Sequence, residues 1–115
     1  MTMRVFHRTT RDTAADIRIM GFYDASDAVG AGLERMGVWV SDQPSDARDE
    51  TPALVTLRIP IALFERHEHH HGSSGSRDAL IPADDLNTCG QARIVRPEAE
   101  ARWMTLRSRL MRKDT

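Results

Sequence analysis

The sequence holds a single cysteine, Cys89, so no internal disulfide can form and a reducing compartment is the expected setting. Long apolar runs are missing as well. None approaches the roughly 20 residues that a membrane-spanning helix needs. The first residues lack the charged start and apolar stretch of a secretory signal. Cytoplasmic location and the absence of a membrane partner are therefore expected. Charge of one sign is scarce too. The formal net charge of -1 supplies no global field to recruit nucleic acid or an anionic bilayer. There is no phosphate loop, no glycine-rich dinucleotide fingerprint and no serine-hydrolase elbow. Those absences remove the commonest phosphate-cradling and serine-nucleophile chemistries.

What remains is a chain of 115 residues, 40% hydrophobic and 29% charged, which fits one folded domain spanning residues 1–115. Its charge is unevenly spread. From Gln91 onward, seven basic residues from Arg93 to Lys113 face only Glu98, Glu100 and Asp114, whereas Thr10 to Glu50 leans acidic. A basic C-terminal stretch of this kind suits either phosphate contact or a solvated helix face.

Hydrophobic periodicity predicts a small α+β domain. Met3 to His7 reads as a strand. Thr9 or Thr10 caps a following helix whose Ala14, Ile17 and Met20 share a face, and Gly21 stops it. Asp24 to Met36 reads as a loop with at most one helical turn. Gly37 to Ser41 reads as a strand with Val38 and Val40 pointing one way, Trp39 and Ser41 the other. Asp42 to Pro52 is a polar, exposed loop. In Leu54 to Ile61, Val55, Leu57, Ile59 and Ile61 alternate with Thr56, Arg58 and Pro60, which predicts a strand with one buried and one wetter face. Ile61 to His67 follows as a short helix, and Gly72 to Ser76 as a flexible connector. Leu80 and Ile81 start a strand, Asp84 to Asn87 turns, and Ala92 to Val95 resumes a strand. Pro97 opens a last helix, with Ala99, Trp103, Leu106 and Leu110 on the face that docks on the sheet.

Three short motifs occur in order: His7-Arg8-Thr9 on the first strand, Ile17-x-x-x-Gly21-Phe22 at a helix end, and Gly37-Val38-Trp39-Val40-Ser41-Asp42 on the next strand. Together with Asp78-Ala79-Leu80-Ile81-Pro82 they resemble the ADP-ribosyltransferase superfamily, in its diphtheria-toxin-like and poly(ADP-ribose) polymerase-like branch. The pattern is also similar to the RNA 2′-phosphotransferases that use NAD. The likeness touches the chain from Arg4 to Asn87 and implies a small split, mostly antiparallel sheet with flanking helices. It also implies NAD as substrate and transfer of ADP-ribose to a protein, nucleic acid or small molecule, or hydrolysis of NAD.

Residue by residue, the resemblance implies that His7 hydrogen-bonds the adenine-side ribose. The Arg8 backbone would hold the nicotinamide amide while Thr9 supports the turn. Trp39 would stack on nicotinamide, Tyr23 and Ser41 would line the pocket, and Asp78 would hold the nicotinamide-side ribose. His7 and Asp78 are thus the catalytic candidates. Arg8 stands where the family has glycine, Trp39 where it has tyrosine, and Asp78 where it has a longer glutamate. Asp84 and Asp85 are the nearby alternative carboxylates.

Each of these residues also has a plain structural reading. Trp39 serves equally as core, Tyr23 as packing beside Phe22, Ser41 as a strand end, and Asp78 as a solvated loop residue. A rival function on the same scaffold is a non-catalytic module that binds protein or nucleic acid through the basic C-terminal helix.

The run His67-Glu68-His69-His70-His71 is a second candidate, because imidazoles bind transition metals and His67 and His71 would share a face on a continuing helix. It leads straight into a flexible connector that fixes no geometry, so adventitious metal at His67, His69, His70 and His71 is expected and no metal site. Cys89 reads as an inert thiol.

Overall fold

Alternating apolar residues build the central strands, and the chain wraps helices over both of their faces. The computed structural model describes residues 1–23, 25–27, 35–45, 47–69 and 76–113. In chain order the elements are β1 (Thr2–Thr9), α1 (Arg11–Met20), β2 (Ala25–Asp27), β3 (Arg35–Ser41), β4 (Ala53–Pro60) and α2 (Ile61–His67). They continue with β5 (Glu68–His69), β6 (Asp78–Ile81), α3 (Ala83–Asn87), β7 (Arg93–Ile94) and α4 (Pro97–Lys113). The sheet runs β5-β6-β3-β1-β4-β7, with β2 paired to β3 off this path, and every pairing is antiparallel. The α+β class agrees with the sequence pattern. No helix among the described residues is long and apolar enough to cross a membrane.

One face of the sheet carries the main core. Val5, Val38, Val40, Val55, Leu57, Ile59 and Ile81 meet Ile17 from α1, Phe64 from α2 and Leu86 from α3. Phe64, Ile59, Ile81 and Leu86 are wholly buried. Burying a side chain of this size stabilises the fold by about 1.5–3 kcal/mol before the entropy of ordering it is counted.

The opposite face is wet only in part: Arg58 and Pro60 are exposed as the alternation in β4 predicts, but Thr56 is not. Leu54 and Thr56 are both buried. They lie opposite Arg8 and Phe6 in the β1–β4 ladder. The Thr56 hydroxyl donates to the Val5 carbonyl at 2.9 Å, so its burial leaves no orphaned group. α4 covers this face, with the Trp103 ring edge-on to Phe6 at a centroid separation of 5.7 Å. The docking of α4 is only partial. Trp103 remains 38% and Leu106 50% exposed, so among its described residues the predicted apolar stripe is only partly covered. The Leu110 side chain lies outside the described residues.

Local signals explain several boundaries. Thr10 caps α1 as expected, its hydroxyl oxygen accepting from the Thr13 amide at 3.1 Å. Gly21 ends α1 with φ +90°, a conformation that side-chain-bearing residues avoid. Ile61 to His67 is the predicted short helix. Residues 84–87, read from sequence as a turn, form the end of α3 instead, because Leu86 can reach the core from a helical turn. The stretch from Asp24 to Met36, read as a loop, contains β2 and the start of β3, paired Ala25↔Gly37 to Asp27↔Arg35. Its residues 24 and 28–34 lie outside the described residues, as does most of the connector 72–76.

Asn87 fixes the segment that follows α1. Its side-chain oxygen accepts from the Phe22 amide at 2.8 Å and its amide nitrogen donates to the Phe22 carbonyl at 2.9 Å. A Cβ at position 21 would lie 2.8 Å from that same oxygen. Gly21→Ala is therefore expected to lower stability by about 1–3 kcal/mol, and Asn87→Ala by about 1 kcal/mol. Urea unfolding of the double variant should show a loss smaller than the sum, because Asn87→Ala removes the atom that the new methyl meets.

Candidate functional site

The site begins where two strands part. β1 is paired with β4 along its whole length, from Thr2↔Pro60 to Thr9↔Ala53. β3 is paired with β6 from Val38↔Ile81 to Ser41↔Asp78. Between β1 and β3 there is a single register pair, Phe6↔Ser41. Beyond it, His7 to Thr9 and Val38 to Val40 diverge, and the His7 side chain bridges the opening. Its Nδ1 lies 2.8 Å from the Trp39 carbonyl oxygen.

That contact sets the imidazole's chemistry. A carbonyl only accepts, so Nδ1 carries the proton and Nε2 presents a lone pair. Burial pushes the His7 pKa below its ordinary value, and the hydrogen bond to Trp39 offsets part of that shift. The Phe22 ring stands edge-on to His7 at 6.1 Å and helps exclude water. At neutral pH, His7 is thus an uncharged acceptor in a fixed tautomer.

Two cavities meet at this histidine. The larger, about 790 Å³, is lined by His7, Arg8, Trp39, Ser41 and Asp78, with Ser45 and Arg48 from the loop after β3. The smaller, about 260 Å³, shares His7, Arg8 and Trp39 and adds Thr9, Phe22 and Tyr23. All seven residues singled out from the sequence therefore border one or both of these two neighbouring cavities. Tyr23 is exposed, whereas Phe22 is buried, so Tyr23 edges the cavity and Phe22 does the packing. Asp78 stands opposite Ser41 on one side and His69 of β5 on the other. The His69 ring also meets Trp39 at 5.1 Å, edge to face, and steadies the indole.

Arg8 replaces a residue with no side chain in the resembled pattern, and the structure shows where that side chain goes. Its Nη2 pairs with Glu100 of α4 at 2.5 Å and also donates to the Ser45 carbonyl. Nη1 reaches the Pro52 carbonyl at 3.4 Å. The guanidinium is drawn toward α4 and the loop, which leaves the region between His7 and Trp39 open.

The other candidates do not converge here. Asp84 and Asp85 lie on α3, and Asp85 faces His67 at 3.9 Å. The helix carrying His67 ends at that residue and the chain continues extended through His69, so His67 and His69 share no helical face. His70 and His71 lie outside the described residues. Among the described residues no three potential ligands form a metal-holding group. The Cys89 thiol donates to the Asp85 carbonyl at 3.3 Å, and burial raises its pKa, as befits an unreactive thiol. Arg48, His69, Asn87 and Glu100 were not legible as parts of this region. Each comes from a loop, a short edge strand or a helix end distant in sequence, where no local spacing marks it.

No family model, no curated protein and no solved structure matches the chain.

His7 yields a prediction with a definite sign. Its folded-state pKa lies below the ordinary 6.5, so the unfolded chain binds more protons in the interval between the two. Stability should be full above pH 6.5 and fall as pH drops from 6.5 toward the folded-state value. The ring resonances of His7 should titrate below 6.5 in the folded protein, and His7→Gln should flatten stability across that interval.

Proposed function

We propose that the cleft binds NAD and that the domain is an ADP-ribosyltransferase-like enzyme, transferring ADP-ribose to an acceptor or hydrolysing NAD. The observation that carries this reading is the convergence of His7, Trp39, Ser41 and Asp78 on one cavity at the parting of β1 and β3. A volume of about 790 Å³ is within the range of small-molecule sites.

Each residue then has a role that its environment suits. Neutral His7 accepts a hydrogen bond from a ribose hydroxyl through Nε2. The Trp39 indole offers a flat wall for nicotinamide, held in place by the edge of His69. The backbone of Arg8, where β1 no longer pairs with β3, meets the carboxamide, and Thr9 and Tyr23 close the far side. Asp78, with Ser41 beside it, faces the ribose next to nicotinamide.

In the reaction, the bond between nicotinamide nitrogen and ribose C1′ breaks, and its electron pair leaves with nicotinamide. Positive charge develops on the sugar, as in glycoside cleavage. A carboxylate held on the ribose hydroxyl stabilises that charge where it forms. The acceptor, or water, supplies the electron pair of the new C1′ bond and releases its proton to solvent.

The rival reading, an interaction module, draws on the exposed Trp103 and Leu106 of α4. The two separate cleanly. Calorimetric titration with NAD, with released nicotinamide assayed in parallel, should show binding and slow release. His7→Ala should lose binding while keeping the fold at pH 7.5. Asp78→Asn should keep binding and lower nicotinamide release by about 10²-fold. A wild-type protein that ignores millimolar NAD would leave the interaction module as the reading.

A further inference from the structure

Arg8 is a buried cation with unused capacity. Its side chain is only 8% exposed, and its Nε is buried without a hydrogen-bond partner. A guanidinium has five donors, and leaving one unmet inside a protein costs free energy unless a ligand meets it. The residue lines both cavities. Its carboxylate partner among the described residues, Glu100, comes from the first turn of α4, a helix held to the sheet by the Phe6–Trp103 contact, with Thr105 and Leu106 exposed beyond it.

A second cation lines the same cavity. Arg48 projects from the loop after β3 and, among the described residues, has no salt bridge. The loop that carries it is tied to Arg8 through the Ser45 and Pro52 carbonyls. Among the described residues on this cavity's lining, the one acid is Asp78, on β6. The described lining thus carries two guanidiniums, Arg8 paired with Glu100 and Arg48 beside Asp49 and Glu50 of the adjoining cavity, and one carboxylate, Asp78.

We infer that Arg8 and Arg48 form a diphosphate-binding subsite, and that Glu100 occupies Arg8 until a ligand phosphate displaces it. The planar guanidinium of Arg8 holds Glu100 through Nη2 alone; it takes a phosphate through Nε and Nη2 together, so that Nε gains the partner that it lacks. Arg48 takes the second phosphate as an exposed surface cation. Glu100 thus competes with the ligand and couples α4 to the occupancy of the cleft. The ligand class is a molecule with two linked phosphates. That the whole ligand is a dinucleotide rests on the reading of the cleft as an NAD site, but the subsite itself does not.

Inorganic pyrophosphate is the probe, titrated calorimetrically into the full chain at fixed low ionic strength. Glu100→Gln keeps a hydrogen-bonding partner for Arg8 while removing the competing charge, and should bind pyrophosphate roughly tenfold tighter than wild type. Arg48→Ala, at an exposed position, should bind roughly tenfold weaker and melt at the wild-type temperature. Equal affinity in wild type and Glu100→Gln would overturn the competition. Unchanged affinity in Arg48→Ala, or no pyrophosphate binding by any of the three proteins, would overturn the subsite. If pyrophosphate binds with this pattern and NAD does not, the subsite stands and the dinucleotide reading falls.

Discussion

The structure depends on a hydrogen-bond ladder that stops. β1 is committed to β4 along its whole length and β3 to β6 along most of its own, yet the two halves touch in register only at Phe6↔Ser41. Backbone polar groups that leave a ladder must find other partners, and a sheet interior offers few. Here the His7 imidazole takes one, the Trp39 carbonyl, and props the strands apart. The cleft, the tautomer of His7 and the position of the Trp39 indole all follow from that single interruption.

The second constraint is that both faces of the sheet are covered. α1, α2 and α3 bury one face in a continuous apolar core, which makes β1, β3, β4 and β6 a rigid platform. The other face is closed by Phe6, Leu54 and the start of α4. An arginine buried near the end of β1 could not sit there unpaired, because an isolated buried charge is costly. Glu100 and two loop carbonyls meet it. The same contacts attach α4 and the loop after β3 to the strand that carries His7, so the rim of the cleft is built from parts that have little other hold on the core.

Much of this was legible along the chain. Thr10 and Gly21 mark the ends of α1 through a side-chain cap and a backbone conformation that only glycine tolerates cheaply. Val38 and Val40 against Trp39 and Ser41 assign the two faces of β3 correctly, since strand side chains alternate strictly. The same rule misled at β4. Thr56 reads with Arg58 and Pro60 as the wetter face, yet it is buried, opposite Phe6 in the ladder, on which Trp103 of the distant α4 packs. Residues 84–87 read as a turn because of Asp84, Asp85 and Asn87, yet one apolar residue, Leu86, anchored them as a helix. For Tyr23, side-by-side aromatic residues gave no sign of which would turn inward, and Phe22 did.

Local chemistry alone determined the class of the fold, the ends of the first helix and the inward face of β3, whereas the short list His7, Arg8, Thr9, Tyr23, Trp39, Ser41 and Asp78 came from the resemblance to a known family. Those features depend on neighbours within a few residues, where periodicity, capping and backbone preference act directly. Tertiary structure decided which of the carboxylates Asp78, Asp84 and Asp85 reaches the cleft, that Arg8 is held by Glu100, and that Asn87 clamps Phe22. These are contacts across 65 to 92 residues, or choices between strand and helix faces, and they exist only once the register of β3 against β6 and the seat of α4 are fixed. No spacing in a sequence encodes a register, because register is set by the sum of packing on both faces of the sheet.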